Sequence, residues 1–95
     1  MPNNSEILQE IRHAAFKERY SDMKKAPEDL DVTDLVDYTI IHERPDWFWW
    51  LMENGDMVNK QGKFFTKYRS RLNTSLTYAV SHHLVDVSRY LWEKG

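Results

Sequence analysis

The chain has 95 residues, a length that fits one domain with a small core. It contains no cysteine, which excludes disulfide bonds and thiolate chemistry. Residues 1–59 carry thirteen acids and six bases, whereas residues 60–95 carry seven bases and two acids, for a net charge of −2. Such asymmetry is typical of two different surfaces or of two faces that meet. We therefore expect a single domain over residues 1–95.

The composition also bears on location. The first ten residues are polar and lack the basic segment and apolar run of a secretory signal peptide. No apolar stretch approaches the roughly 20 residues that span a bilayer. Together with the lack of cysteine, these features predict a cytoplasmic protein that makes no membrane contact.

An N-terminal helix is predicted over residues 5–25. Its apolar residues recur at helical spacing, and Asn3 can cap it, with Glu6 at the capping-box distance. Pro27 is expected to end this segment, so residues 1–27 form the first structural unit.

Two helices are predicted to follow. The first covers residues 34–42, and either Thr33 or Asp31 can cap it. Pro45 favours the first turn of the next helix, and Asn54–Gly55 is a typical stop signal.

The C-terminal third contains three further predicted elements. A loop leads into a short helical stripe, whose residues lie four apart: Phe64, Tyr68 and Leu72. Two helices are then predicted over residues 75–82 and 85–94, the first of them capped from residues 73–75. The chain is therefore expected to be all-α.

An internal repeat appears when the sequence is shifted by forty residues. Residues 36–55 align without a gap over residues 76–95. Six of the twenty aligned pairs are identical: Tyr38/Tyr78, His42/His82, Asp46/Asp86, Leu51/Leu91, Glu53/Glu93 and Gly55/Gly95. Two copies of a helix–turn–helix unit are the signature of a repeat array.

This repeat resembles the ankyrin repeat. The family pattern opens Thr-Pro-Leu-His-x-Ala, turns at Gly-His, continues with a Val-Val-x-x-Leu-Leu helix and ends Gly-Ala-Asp-Val-Asn. Residues 74–79 match the opening, residues 85–95 match the second helix and its stop, and residues 51–59 match the family's helix end and following turn. The resemblance implies an N-terminal capping helix, a first repeat over residues 34–59 and a second over residues 74–95.

The sequence also departs from the family. Ser75 and Asp34 stand where the family has proline, and neither copy has the Gly-His turn. The spacing is forty residues rather than about 33. The additional residues form a basic and aromatic insertion over residues 60–73.

The family resemblance implies a function. Ankyrin-type domains bind other proteins through an exposed face and its turns, so we expect a protein-interaction module that occupies a partner surface. By analogy it resembles small inhibitors or adaptors, including phage- or virus-encoded ones.

Two repeats are fewer than the three that such folds usually need. Residues of the last helix are therefore expected to meet a partner or a second copy in a homodimer: Val87, Leu91 and Trp92. A homo-oligomeric assembly subunit is accordingly an alternative function.

Four consecutive aromatic residues, 47–50, begin the third helix. Because helical residues lie about 100° apart, they cover most of its circumference. The repeat alignment places Trp47 and Leu51 in the core and Phe48 at an intermediate position, and it directs Trp49 and Trp50 outward. Exposed tryptophan is enriched at binding hot spots, although the insertion covering both rings is an equal alternative.

The insertion combines bases with aromatic rings and contains no acid. Its proposed contact residues are Lys63, Lys67, Tyr68, Arg69 and Arg71, with Lys60, Phe64 and Phe65 beside them. Bases neutralise phosphates and aromatic rings stack on nucleobases, so nucleic-acid binding is an alternative function. Two other interpretations are a solvated basic face and pairing with the acidic residues 28–46.

No catalytic or metal-binding pattern is present in the sequence. His42 and His82 occupy equivalent repeat positions and are interpreted as structural, and His82–His83 is a poor metal pair. There is no phosphate-binding glycine loop and no supported Ser/His/Asp arrangement. We expect no enzymatic activity, no metal and no cofactor.

Overall fold

The computed structural model is all-helical, and it describes residues 2–22, 24, 26–59 and 63–95. No strand occurs within these ranges, so the predicted all-α class is confirmed. In chain order the elements are α1 (Asn4–Ala15), a π-helical turn (Phe16–Tyr20), a 3-10 turn (Pro27–Asp29), α2 (Val32–Ile41), α3 (Pro45–Val58), α4 (Phe64–Tyr68), a second 3-10 turn (Arg69–Arg71), α5 (Leu72–Ser81) and α6 (Val85–Lys94).

Helix α1 begins as predicted but ends earlier. The Asn3 side-chain oxygen accepts a hydrogen bond from the Glu6 backbone N–H at 2.9 Å, which satisfies one of the free donors at the helix start. After Ala15 the chain widens into the π-helical turn instead of continuing as α-helix. Residues 23 and 25, which the prediction included, lie outside the described residues.

Glu18 of the π-helical turn connects the N-terminal segment to α2. The buried Tyr38 hydroxyl donates to a Glu18 carboxylate oxygen at 3.0 Å, and His42 Nδ1 lies 3.1 Å from the same oxygen. The Tyr38 and His42 rings stack with centroids 4.6 Å apart. Burial, and then the hydrogen bond to Glu18, raises the pKa of Tyr38 to about 12. His42 therefore has a structural partner, as its repeat position predicted.

Helix α2 starts two residues before its predicted start because Asp31, and not Thr33, is its cap. The Asp31 carboxylate accepts from the Thr33 N–H at 2.7 Å, and the Asp34 carboxylate accepts from the Asp31 N–H at 3.1 Å, which completes a capping box. Seven of its ten residues are buried, and it packs against α1, α3 and α5. Helix α2 is thus the centre of the core.

Helix α3 starts at Pro45 as predicted but does not end at Asn54–Gly55. The backbone at Asn54 departs from helical geometry (φ −118°, ψ 20°), and the helix resumes to Val58. At Gly55 the ring of Phe64 lies where a side chain would begin, since a Cβ placed there would overlap the ring. The stop signal therefore produces a kink that admits the Phe64 ring.

Replacing Gly55 with alanine is expected to destabilise the protein by about 2 kcal/mol, because the added methyl group overpacks against the buried Phe64 ring. Helix propensity alone predicts the opposite sign, a gain of up to about 1 kcal/mol. Urea denaturation followed by circular dichroism measures the difference. Gly55→Ala combined with Phe64→Leu should recover part of the loss, and a stabilised Gly55→Ala variant would contradict the packing.

The predicted stripe after the loop is confirmed. Phe64, Tyr68 and Leu72 are all buried, on α4 and the start of α5. The predicted cap from residues 73–75 is wrong, because the second 3-10 turn leads directly into α5 at Leu72. The Ser75 hydroxyl, which that cap would have used, is buried and bonds elsewhere, to Asp37.

The forty-residue repeat is visible as two hairpins with matching turns: α2–α3 and α5–α6. Glu43 and His83 both adopt left-handed backbone conformations, with φ of 54° and 59°. The backbone bonds also correspond, Arg44 N–H to the Thr39 carbonyl at 2.7 Å and Leu84 N–H to the Ala79 carbonyl at 3.0 Å. The two hairpins stack through α2 and α5.

Candidate functional site

The aromatic residues at the start of α3 are distributed differently from the prediction. Phe48 is 1% exposed and packs edge-on against Trp49 and Tyr90, with centroid distances of 4.9 and 6.0 Å. Trp47 is only half-buried and lies under the Arg44 guanidinium, 3.6 Å from the ring centroid. Phe48, and not Trp47, therefore takes the core position, while Leu51 is buried as predicted.

Trp49 and Trp50 are both half-buried and occupy different surroundings. Trp49 packs edge-on against Tyr90 of α6, with centroids 5.1 Å apart, so α6 contributes to its cover. Trp50 lies one residue further around α3, and its carbonyl accepts a hydrogen bond from the Asn54 side chain at 3.0 Å. Of the two predicted contact residues, only Trp49 borders the groove described next.

A groove of about 270 Å³ lies between the starts of α3 and α6, beside the turn of the second hairpin. Its lining comes from the starts of α3 and α6 and from the second turn: Pro45, Trp49, His83, Leu84, Val85, Asp86 and Val87. Val85 is 65% exposed at this groove. The exposed Asp86 carboxylate makes no ion pair with any residue that the structure describes. The groove therefore combines apolar surface with a free negative charge.

The basic insertion is partly tied to the acidic stretch of the same chain. Lys67 Nζ lies 3.2 Å from an Asp31 carboxylate oxygen, and an Arg71 guanidinium nitrogen donates to Asp37 at 2.7 Å. The hydrogen bond to Asp37 raises the pKa of Arg71. Intrachain pairing between the insertion and residues 28–46, one of the three interpretations of the insertion, is thus present for these two bases.

The remaining predicted contact residues of the insertion divide into two groups. Lys63 and Arg69 are exposed, whereas Lys60 lies outside the described residues. The prediction that Tyr68 contacts a partner is wrong, because its ring is fully buried against Phe64 and Phe65. Burial raises the pKa of its hydroxyl. A continuous basic and aromatic surface is therefore not formed by the described residues.

Asp37 is a site residue that the sequence analysis missed. It is 4% exposed and accepts hydrogen bonds from Arg71 at 2.7 Å and from the Ser75 hydroxyl at 2.9 Å. These bonds join α2 of the first hairpin to α5 of the second. The sequence signal that could have identified it is a carboxylate in the middle of α2, directly between the apolar Val36 and Tyr38.

The three predicted self-association residues differ in their exposure. Val87 and Leu91 are each 1% exposed, so the expectation that they meet a second copy is wrong; they fill the space between α6 and the rest of the core. Trp92, by contrast, is 73% exposed. Of the three predicted self-association residues, only Trp92 is therefore exposed to a partner.

The described residues contain no group of three or more histidine, aspartate or glutamate side chains placed to hold a metal ion. Among them, too, no helix is both long and apolar enough to cross a membrane. Comparison with protein-family models, curated proteins and solved structures yields no match.

Proposed function

We propose that this protein is a binding module that holds an apolar side chain of a partner protein in the groove between the starts of α3 and α6. The observation that carries the proposal is the juxtaposition of Trp49 with the 65% exposed Val85 across that groove. Aromatic side chains in partly desolvated pockets dominate binding energy at protein interfaces.

The dimensions of the groove favour a side chain over a small-molecule ligand. Its volume of about 270 Å³ lies below the roughly 300–1,000 Å³ typical of small-molecule pockets. Asp86 places one negative charge at its edge, so the preferred partner segment has an apolar residue next to a basic one.

The proposal includes an ankyrin-like arrangement of the two hairpins, which two features of the chain support. The ankyrin pattern has glycine in the turn between its two helices, and Glu43 and His83 adopt the left-handed conformation that glycine favours. The hairpins also stack side by side through α2 and α5. On this proposal the protein acts as an inhibitor or adaptor by occupying a partner surface, without catalysis.

The nucleic-acid alternative has less support. Lys67 and Arg71 are paired with acidic side chains of the same chain, and Tyr68 is buried rather than free to stack on a base. Phosphate binding depends on basic side chains that have no acidic partner, so the insertion offers a weaker nucleic-acid-binding surface than its sequence predicts.

The proposal is tested with peptides selected on the immobilised protein from a random displayed library. Selected peptides should share an apolar residue beside lysine or arginine. Val85→Glu should weaken their binding at least tenfold, because it places a second carboxylate over the apolar groove. Fluorescence anisotropy or calorimetry with synthetic peptides gives the dissociation constants.

A matched control is Met57→Glu, which makes the same kind of change at a 40% exposed residue outside the groove. It should leave peptide affinity unchanged. Asp86→Lys should reverse the preference for basic peptides. Equal affinity of the selected peptides for wild type, Val85→Glu and Asp86→Lys would refute the groove as the binding site.

A further inference from the structure

The two hairpins provide an internal comparison, because equivalent positions in them have different neighbours. On α2, Asp37 and Ile40 are 4% and 0% exposed, since α5 packs against this side of the first hairpin. Their equivalents forty residues later are Thr77, which is exposed, and Val80, which is 58% exposed. The second hairpin thus leaves open the side that is covered in the first.

Helix α6 is open on the same side. Tyr90 points toward the first hairpin, where it packs on Phe48 and Trp49. Trp92 lies two residues further on, about 200° around the helix, and so points away from the first hairpin. It is 73% exposed, whereas its equivalent Met52 is half-buried.

On α5 the same rotation applies. Ser75 points toward the first hairpin through its bond to Asp37, and Thr77 lies about 200° around from it. The outer face of the second hairpin, as we define it, therefore comprises residues from both of its helices: Leu76, Thr77, Val80, Ser88 and Trp92.

We propose that this outer face binds the outer face of a second copy of the chain, related by a two-fold axis. Head-to-tail stacking has no free receiving surface on the far side of the first hairpin, because α1 covers it. Leu8, Ile11 and Ala15 of α1 are buried there, and Tyr20 donates a hydrogen bond to the Asp34 carbonyl at 3.3 Å. Pairing of like faces remains, and such isologous dimers are the commonest protein assemblies.

The charges around the outer face suit this occupant. All residues from 72 to 95 are described, and α5 carries no acidic or basic residue among them. Along the exposed edge of α6, Arg89 and Glu93 lie one helical turn apart. A two-fold axis between them, with the α6 helices antiparallel, pairs Arg89 of each copy with Glu93 of the other. The face therefore meets its own copy without like charges opposed.

The size of the face sets the expected affinity. Two helices of ten residues are about 15 Å long each, so the buried area is at the low end of specific interfaces. We expect dissociation constants of roughly 10–100 µM, which correspond to weak, reversible dimers.

Sedimentation equilibrium between about 5 and 500 µM, a range that brackets the expected constant, tests the proposal. The wild type should fit a monomer–dimer equilibrium. Val80→Glu and Trp92→Glu should each weaken dimerisation at least tenfold, and both positions are exposed enough for the fold to persist, as circular dichroism will verify. Met57→Glu is the control and should dimerise like wild type.

Charge reversal tests the two-fold register. Arg89→Glu and Glu93→Arg should each weaken the dimer, and the double variant should restore it. A monomer at every concentration, open-ended oligomers, unaffected Trp92→Glu dimers or an unrestored double variant would each overturn the proposal. Because the experiment uses the chain alone, its outcome is independent of peptide binding in the groove.

Discussion

Phe48→Ala is expected to lower the free energy of unfolding by about 4 kcal/mol, within the range for deleting a fully buried phenylalanine. Phe48 is 1% exposed and makes edge-on contacts with Trp49 and with Tyr90 of the second hairpin. Its removal leaves a cavity at the junction of the two hairpins. Urea denaturation monitored by far-ultraviolet circular dichroism measures the change without relying on tryptophan fluorescence.

Trp47→Ala is the matched comparison, one residue away on the same helix. We expect it to cost about 1–2 kcal/mol, because the half-buried ring loses only part of its apolar contact and the cation–π contact with Arg44. Phe48→Leu, which keeps most of the volume, should cost about 1 kcal/mol. Losses that are larger for Trp47→Ala than for Phe48→Ala would show that Trp47 is the core residue after all.

The repeat alignment could not determine whether Trp47 or Phe48 takes the core position on α3. Helix α6 buries Val87 and Leu91, four residues apart, whereas α3 buries Phe48 and Leu51, three apart. Both spacings fit one face of a helix, so periodicity does not choose between them. The choice depends on Tyr90, which packs on Phe48 from a helix some forty residues away along the chain.

Elements with local signals were predicted correctly. The Asn3 cap, the Pro45 helix start and the stripe at Phe64 and Tyr68 each depend on residues within one or two helical turns. The end of α3 was predicted wrongly, because Asn54–Gly55 is a typical signal for the end of a helix. Only the Phe64 ring, which packs at Gly55, explains why the helix continues beyond it.

Only single residues of the candidate site were predicted from the sequence. Trp49 was identified from its unusual neighbours, but the groove that it borders also needs Val85 and Asp86, which only the stacking of the hairpins brings close. Tyr68 looked like a surface aromatic among bases, but it is buried, and Lys67 and Arg71 on either side of it pair with acidic residues of the same chain. Opposite charges distant in sequence can indicate such pairing but do not show which of them meet.

Arg71→Met is expected to destabilise the protein by about 3 kcal/mol, because it leaves the buried Asp37 carboxylate with the Ser75 hydroxyl as its remaining partner. Asp37→Leu should cost less, about 1–2 kcal/mol, because the Arg71 side chain is 41% exposed and can return to water, so that only the buried Ser75 hydroxyl loses its acceptor. The inequality is specific to this geometry, and chemical denaturation of the two single variants measures it directly.

The single and double variants together test whether Arg71 stabilises the fold through its charge or through its methylene stem. Replacing both charges with apolar groups removes the uncompensated carboxylate, so Asp37→Leu with Arg71→Met should lie within about 1 kcal/mol of wild type. If Arg71 instead stabilises the fold mainly through its methylene stem, methionine preserves that contact and the single variant will be nearly neutral. If the two single losses together exceed the loss of the double variant by about 3–4 kcal/mol, Arg71 and Asp37 are coupled and Arg71 belongs to the junction between the hairpins. If the losses of the two single variants simply add in the double variant, Arg71 and Asp37 are not coupled, and Arg71 is free to contact a partner.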